Sequence, residues 1–339
     1  MDTRAKILEI PRLLRDTLEK GAHEYETLIR QVRWGEAPIY LCGCGASLPL
    51  GMAGAYLFEW LAGWPALASS AKVFEAYTVS TLRHRAVLLV ISASGEDAEA
   101  LEIVRLARSR GGVPLAVTRH ADSPLARACE GVFPTRDEGA EDSAAAAVCQ
   151  LAALSGIAVK AARLLKHSSA GLETLEEELK QLPGQLEWCF TQLWDALRSL
   201  ARQLRALHWL WLVGGGLYHP TVVRGAWRLS AVGPIHAQGV EVSQFCSGPL
   251  SHFRRDEVAM LVSGSRLRIK RAVHQAAVQI KVKGARLISL TDTNDRELVD
   301  RSEVAILVPP CSEVGGSMLA IALLELLATA CTKQVDSAP

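Results

Sequence analysis

The sequence predicts an α/β chain made of two tandem copies of one doubly wound, flavodoxin-like domain, each a mainly five-stranded parallel sheet flanked by helices. Two observations carry this reading. Short runs rich in Val, Ile and Leu alternate with helical patterns in the same order in both halves, and strands that are apolar on both sides belong to parallel sheets covered on both faces. The spacing also repeats. Gly43 to Ser92 and Gly214 to Ser263 each span 49 positions, so those halves are offset by 171; Thr118 and Thr291 are offset by 173. A near-constant offset over a shared element order is the mark of duplication.

The elements follow in order. Residues 1–35 read as N-terminal helices: Ile7, Ile10, Leu13, Leu14 and Leu18, then Leu28, Ile29 and Val32, recur at helical spacing, and Pro11 limits the first segment. With no strand beside them, these helices are expected to pack across a domain or subunit. The first domain, 36–170, has strands expected at Ile39–Cys42, Val73–Ala76, Ala86–Ile91, Pro114–Val117 and Val132–Pro134. Helices are expected over Leu48–Leu61, Ala98–Arg110 and Asp142–Leu165. Residues 171–205 form a charged helical connector broken at Pro183-Gly184. The second domain, 206–330, places strands at Trp209–Val213, Ile235–Gln238, Val258–Val262, Leu287–Leu290 and Val304–Val308, and a last helix over Gly315–Ala330. A short tail, 331–339, follows. Trp188, Trp194, Trp209 and Trp211 suit domain or subunit packing, with ordinary core the preferred reading.

Composition narrows the function. With 49% hydrophobic residues, 22% charged residues and a formal charge of +1, this is an ordinary globular chain without a basic footprint for nucleic acid. No run reads as long enough to span a bilayer, and no signal-peptide core follows Met1. A cytoplasmic protein with no membrane or nucleic-acid partner is expected. The eight cysteines show neither disulfide nor zinc spacing, so reduced, mostly buried thiols and no bound metal are expected.

Two turns stand out. Cys44-Gly45-Ala46-Ser47 follows the first strand and Ser92-Ala93-Ser94-Gly95-Glu96-Asp97 follows the third. A dinucleotide fingerprint fails because Leu48 stands where the third glycine belongs. No P-loop is present either, so no nucleotide cofactor is expected. Two Ser/Gly turns opening helices suit an anion, usually a phosphate, because backbone N–H groups converge there. The plainer reading is that Ser94 caps the following helix, with Glu96 and Asp97 favouring its dipole.

The residues also carry a resemblance. Cys42–Ser47, Ile91–Glu96 and Ser143–Gln150, with Val213–Pro220, Arg224–Ala226, Ile235–Ala237 and Ser247–Pro249 in the second half, resemble the tandem sugar-isomerase (SIS) domains of the glucosamine-6-phosphate synthase family. The resemblance spans nearly the whole chain without that family's glutaminase domain, and implies a homodimer that binds a sugar or sugar phosphate. Its phosphate-binding turns correspond to Cys44, Gly45, Ala46 and Ser47 and to Ser92, Ala93, Ser94 and Asp97, with Ser143 from a third stretch. The threonine hydroxyls of both turns are replaced here, by Ala46 and by Asp97. A carboxylate at Asp97 would face the phosphate, a repulsion of about 1 to 4 kcal/mol.

The resemblance also implies catalytic positions, and these are changed. The family's basic glutamate corresponds to Ala231 and its ring-opening histidine to Ser247, and the lysine-bearing tail has no counterpart before Pro339. Glu241 is the candidate for a relocated base, beside His236 and His252, although a solvated loop carboxylate is the plainer reading. The function expected is a phosphosugar or amino-sugar isomerase, or related deglycase, with altered chemistry; the alternative is a non-catalytic sugar-binding sensor or regulator.

Overall fold

The computed structural model describes residues 3–32, 37–137, 143–167 and 171–332. Asp142, where a helix start is expected, lies outside these residues, as do 33–36 and most of the tail. The chain divides into two compact units, one over Glu9–Lys180 and the other formed by residues up to Leu8 together with those from Gln181 onward.

After α1 (Thr3–Leu8) and α2 (Ile10–Gln31) come β1 (Ile39–Gly43), α3 (Leu48–Ala62), β2 (Ala66–Ser70), α4 (Ala71–Ala76), β3 (Val87–Ile91) and α5 (Ala98–Ser109). Then follow β4 (Val113–Thr118), α6 (Pro124–Ala128), β5 (Gly131–Pro134) and α7 (Ala144–Leu164). Helices α8 (Leu172–Gln192) and α9 (Trp194–Leu204) lead to β6 (Trp209–Gly214), α10 (Tyr218–Val232), β7 (His236–Glu241), α11 (Val242–Ser247), β8 (Val258–Val262) and α12 (Lys270–Val282). The chain continues with β9 (Arg286–Asp292), α13 (Arg296–Arg301), β10 (Val304–Val308) and α14 (Glu313–Ala330).

Both sheets are parallel, and they share one strand order: β2-β1-β3-β4-β5 in the first and β7-β6-β8-β9-β10 in the second. Strands β1, β3 and β8 are buried along their whole length, which is why they read as unbroken apolar runs. Consecutive strands β1 and β2 run outward, and the chain then crosses back to add β3 on the other flank of β1. The strand order thus reverses between β1 and β3, and between β6 and β8 in the copy.

Several expectations need correcting. Val73–Ala76 is not a strand but lies in α4, and the second strand is Ala66–Ser70. Ser70 Oγ accepts the Val73 N–H at 3.3 Å and starts a helix there, while the true strand, Ala-Leu-Ala-Ser-Ser at the sheet edge, lacks the β-branched signature. Pro183-Gly184 does not break the connector. Helix α8 runs through Pro183 because Leu182, Leu186 and Cys189 on its inner face are fully buried, and the break comes at Leu193. The compact units part within α8, between Lys180 and Gln181, and the leading helices separate likewise, α1 with the second unit and α2 with the first. Trp188 and Trp209 are half-exposed rather than core; Trp209 meets Trp211 edge-on at 5.6 Å and lies over His236 at 6.4 Å.

Among the described residues, two helices are in fact long and apolar enough to cross a membrane, α7 and α14. Their apolar windows are 89% and 100% buried inside the protein, which makes them core helices. None of the eight cysteines is in a disulfide, and five of them are buried.

Helix α14 lies against α10, and a bidentate pair crosses that contact. Arg228 Nε reaches both carboxylate oxygens of Glu325 at 3.0 Å and Nη2 reaches Oε1 at 2.6 Å, with Glu325 4% exposed. Removing one partner leaves the other charge buried alone. Arg228→Met should therefore cost about 3 to 5 kcal/mol of unfolding free energy; a urea denaturation midpoint within error of the parent protein would contradict this.

Candidate functional site

The two Ser/Gly turns leave adjacent strands from paired residues. Gly43, ending β1, is in register with Ile91, ending β3, so the turns begin one strand spacing apart, about 5 Å. In open α/β sheets this reversal of strand order at the carboxyl ends is where ligands bind. Sequence reasoning placed both turns at strand ends; the switch point itself required knowing that β1 and β3 are neighbours.

The first turn is a tight 3-10 segment, Gly45–Ser47, closed by the Ser47 N–H on the Cys44 carbonyl at 2.9 Å and leading directly into α3. Gly43 is required where β1 ends, because a Cβ there would collide with the Ser47 backbone. Gly45 has φ +49°, and a Cβ built on it would meet nothing within 4 Å. Ser47 is buried, Cys44 and Ala46 are half-buried, and the space beside Gly45 is clear.

The second turn is held by its own hydroxyls. Ser92 Oγ accepts the Gly95 N–H at 2.9 Å and donates to Asp97 Oδ2 at 2.6 Å; Ser94 Oγ accepts the Glu96 N–H at 3.2 Å. Ser94 therefore does not cap α5, which corrects that reading. Asp97 is the N-cap residue, and its side chain makes no capping bond. The carboxylate is tied back to Ser92, so the N–H groups of the first turn of α5 are not satisfied by that side chain. Gly95 has φ +70°, and a Cβ there would strike Ser123 and crowd Thr118. The carbonyl of Ala93 accepts from Thr118 Oγ1 and the Arg119 N–H, both at 3.2 Å, which fastens the turn to the loop after β4.

Ser143 caps α7, its Oγ accepting the Ala146 N–H at 3.2 Å, past the end of β5. The sequence reading missed a further group after β4 and β5. Asp137, 5% exposed, accepts from Thr135 Oγ1 at 2.5 Å, and Arg119 Nη1 lies 3.6 Å from its Oδ2. Burial raises the Asp137 carboxyl above its ordinary range, against the opposing pull of Thr135 and Arg119. Only the position of Arg119, directly after the repeat-matched Thr118, hinted at this group in sequence.

In the second unit, Glu241 is the N-cap of α11. Its carboxylate accepts the N–H groups of Ser243 at 2.6 Å and Gln244 at 3.2 Å. His219 feels that charge, but burial is the larger effect and lowers the imidazole below its usual range. Ala231 and Ser247 are exposed near the ends of α10 and α11, and His236 and His252 are exposed as well.

This fold and these turns define a class. Residues 35–162 and 206–330 each match the SIS domain, and the chain belongs to the SIS-domain family. It is 25% identical to the glutamine–fructose-6-phosphate aminotransferase (isomerizing) of Chlorobaculum tepidum and 28% identical to that of Gloeobacter violaceus. In both cases the alignment covers 95% of this chain and 54% of the relative, so the chain spans about half the length of those proteins. The C-terminal domain of glucosamine–fructose-6-phosphate aminotransferase from Francisella tularensis has the same fold, with a TM-score of 0.86 at 21% identity over 96% of this chain and 94% of that one.

Ser92→Ala strands the buried Gly95 N–H and frees Asp97. It should cost about 1 to 3 kcal/mol, seen as a lower urea midpoint at unchanged m-value; an unaltered midpoint would show that Ser92 does not hold the turn.

Proposed function

We propose that the chain binds a phosphorylated sugar or amino sugar at the switch point of its first sheet, with the phosphate held between Cys44–Ser47 and Ser92–Asp97. The observation that carries this reading is the pairing of Gly43 with Ile91, which sets two N–H-rich turns side by side at the starts of α3 and α5. Helix N-termini with unsatisfied N–H groups favour anions. Ser47 and Ser94 supply hydroxyls, and Ser143 lies at the start of the helix after β5.

The role is recognition of the sugar phosphate, as a cytoplasmic homodimeric sensor or regulator, rather than its turnover. The positions that the family resemblance assigns to the base and the ring-opening acid hold Ala231 and Ser247, and the carboxylate of Glu241 already accepts two backbone N–H bonds as a cap. A second reading, a phosphosugar isomerase or deglycase with relocated acid–base groups, is favoured by the similarity to isomerizing aminotransferases over 95% of the chain. Incubation with fructose 6-phosphate, glucosamine 6-phosphate and a fructosamine phosphate, followed by NMR, separates the two. The first reading expects saturable binding at constant isomer ratio; a drifting ratio that depends on enzyme concentration establishes the second.

Two variants test the site. Asp97→Thr removes a carboxylate and releases the Ser92 hydroxyl, so affinity for a sugar phosphate should rise by roughly 1 kcal/mol, about five-fold in Kd. Unchanged or weaker binding in calorimetry would put the phosphate elsewhere. Glu241→Ala should lower stability by about 1 kcal/mol through the lost cap and leave sugar-phosphate affinity unaltered; a loss of affinity would return Glu241 to the site.

A further inference from the structure

The duplication allows the second domain to be compared with the first site residue by residue. Gly45 and Gly216, Ala46 and Leu217, and Asp97 and Arg268 are each 171 positions apart. Both glycines are left-handed, at φ +49° and +56°. Ser143 and Ser312 cap the helices that follow the fifth strand of each sheet, accepting from Ala146 at 3.2 Å and Gly315 at 3.3 Å. The first residues of those helices, Ala144 and Glu313, therefore correspond.

The two crevices differ at this pair. Beside Gly45 there is open space. Beside Gly216, a Cβ would come within 2.8 Å of Glu313 Oε2. The Glu313 side chain reaches back to the switch point of its own sheet, where Oε1 accepts the Arg268 N–H at 2.6 Å and the Leu217 N–H favours the charged carboxylate. One backbone donor from each strand-end turn thus converges on a single anionic group that is 5% exposed. Burial raises the Glu313 carboxyl above its ordinary range, opposed by those two N–H groups and by the Arg268 charge. Ser263, the counterpart of Ser92, is 2% exposed and its Oγ has no hydrogen-bond partner among the described residues.

We infer that the second domain retains an anion site of the phosphate-monoester class, kept closed in cis by the Glu313 carboxylate. Removing that carboxylate uncovers the N–H groups of Leu217 and Arg268 for an external phosphate. By the same correspondence, the donors in the first domain are the N–H groups of Ala46 and Asp97, left free because Ala144 has no side chain to reach them. The part concerning the first domain rests on the function proposed above; the part concerning Glu313 stands on its own contacts.

The test is titration of the full chain with inorganic phosphate, followed by the 1H–15N amide shifts of Leu217, Arg268, Ala46 and Asp97. In the parent protein the Leu217 and Arg268 amides should stay unmoved. In Glu313→Ala they should move saturably, while Glu313→Gln, which keeps an acceptor oxygen in place, leaves them unmoved. A folded Glu313→Ala whose Leu217 and Arg268 amides ignore phosphate overturns the inference. Glu313→Ser carries the same expectation should the alanine variant fail to fold. Ala144→Glu should abolish any first-domain response, and a surviving response there would overturn the correspondence. Absence of a first-domain response in the parent protein counts against the proposed function alone, since the Glu313→Ala result is read at different amides.

Discussion

The structure depends on how β1 is flanked. In a parallel sheet joined by helical crossovers, β1 can sit inside the sheet only if the chain leaves it in one direction and later returns on the other side. Here β2 takes one flank and β3 the other, so the helices after β1 and β3 begin on either side of a gap at the carboxyl edge. The register between Gly43 and Ile91 then determines how far apart the two turns can be. Everything proposed for the site follows from that pairing: the converging N–H groups, the positive-φ glycines and the short reach between turns.

The same constraint operates in the second sheet with the opposite outcome. β6 is flanked by β7 and β8 in an identical order, and the two turns again face one another. A converging set of backbone donors at a buried switch point must be satisfied by something, because an unmet buried N–H is costly. In this half the chain supplies its own carboxylate from the start of α14. In the first half, alanine stands at the matching place and nothing lies beside Gly45, the opening that the proposed ligand would fill. After duplication, side-chain differences at the turns and at the start of the last helix, Ala144 against Glu313 among them, make two equal frames chemically unequal.

Much of this was readable from residues. Strands buried on both faces had to be apolar throughout, so β1, β3, β4 and β8 announced themselves, and the repeated spacing identified the duplication. The edge strand β2 was harder. Ala66–Ser70 pairs on one side only and needs no β-branched run, while the apolar stretch after it is half on the surface of α4. Pro183 misled in the same way, because the burial of its neighbours outweighs the lost hydrogen bond. Within the site, the identities of Ser92, Ser94 and Asp97 were evident, but not their division of labour. Ser94 looks like a cap in sequence, whereas Ser92 does the holding, bridging Gly95 and Asp97.

By itself the sequence determined the α/β class, the two-fold repeat, the positions of the strand-end turns and the family resemblance, because each depends on local periodicity or on spacing along the chain. Tertiary structure decided which turns are neighbours, that Asp97 is bound by Ser92, that Glu241 is spent on a helix cap, and that Glu313 fills the second crevice while Ala144 leaves the first one clear. The strand neighbours and Glu313 join residues distant in sequence, and the Ser92 and Glu241 contacts, though local, depend on which of several possible bonds the folded turn selects; neither leaves a periodic trace in the order of amino acids.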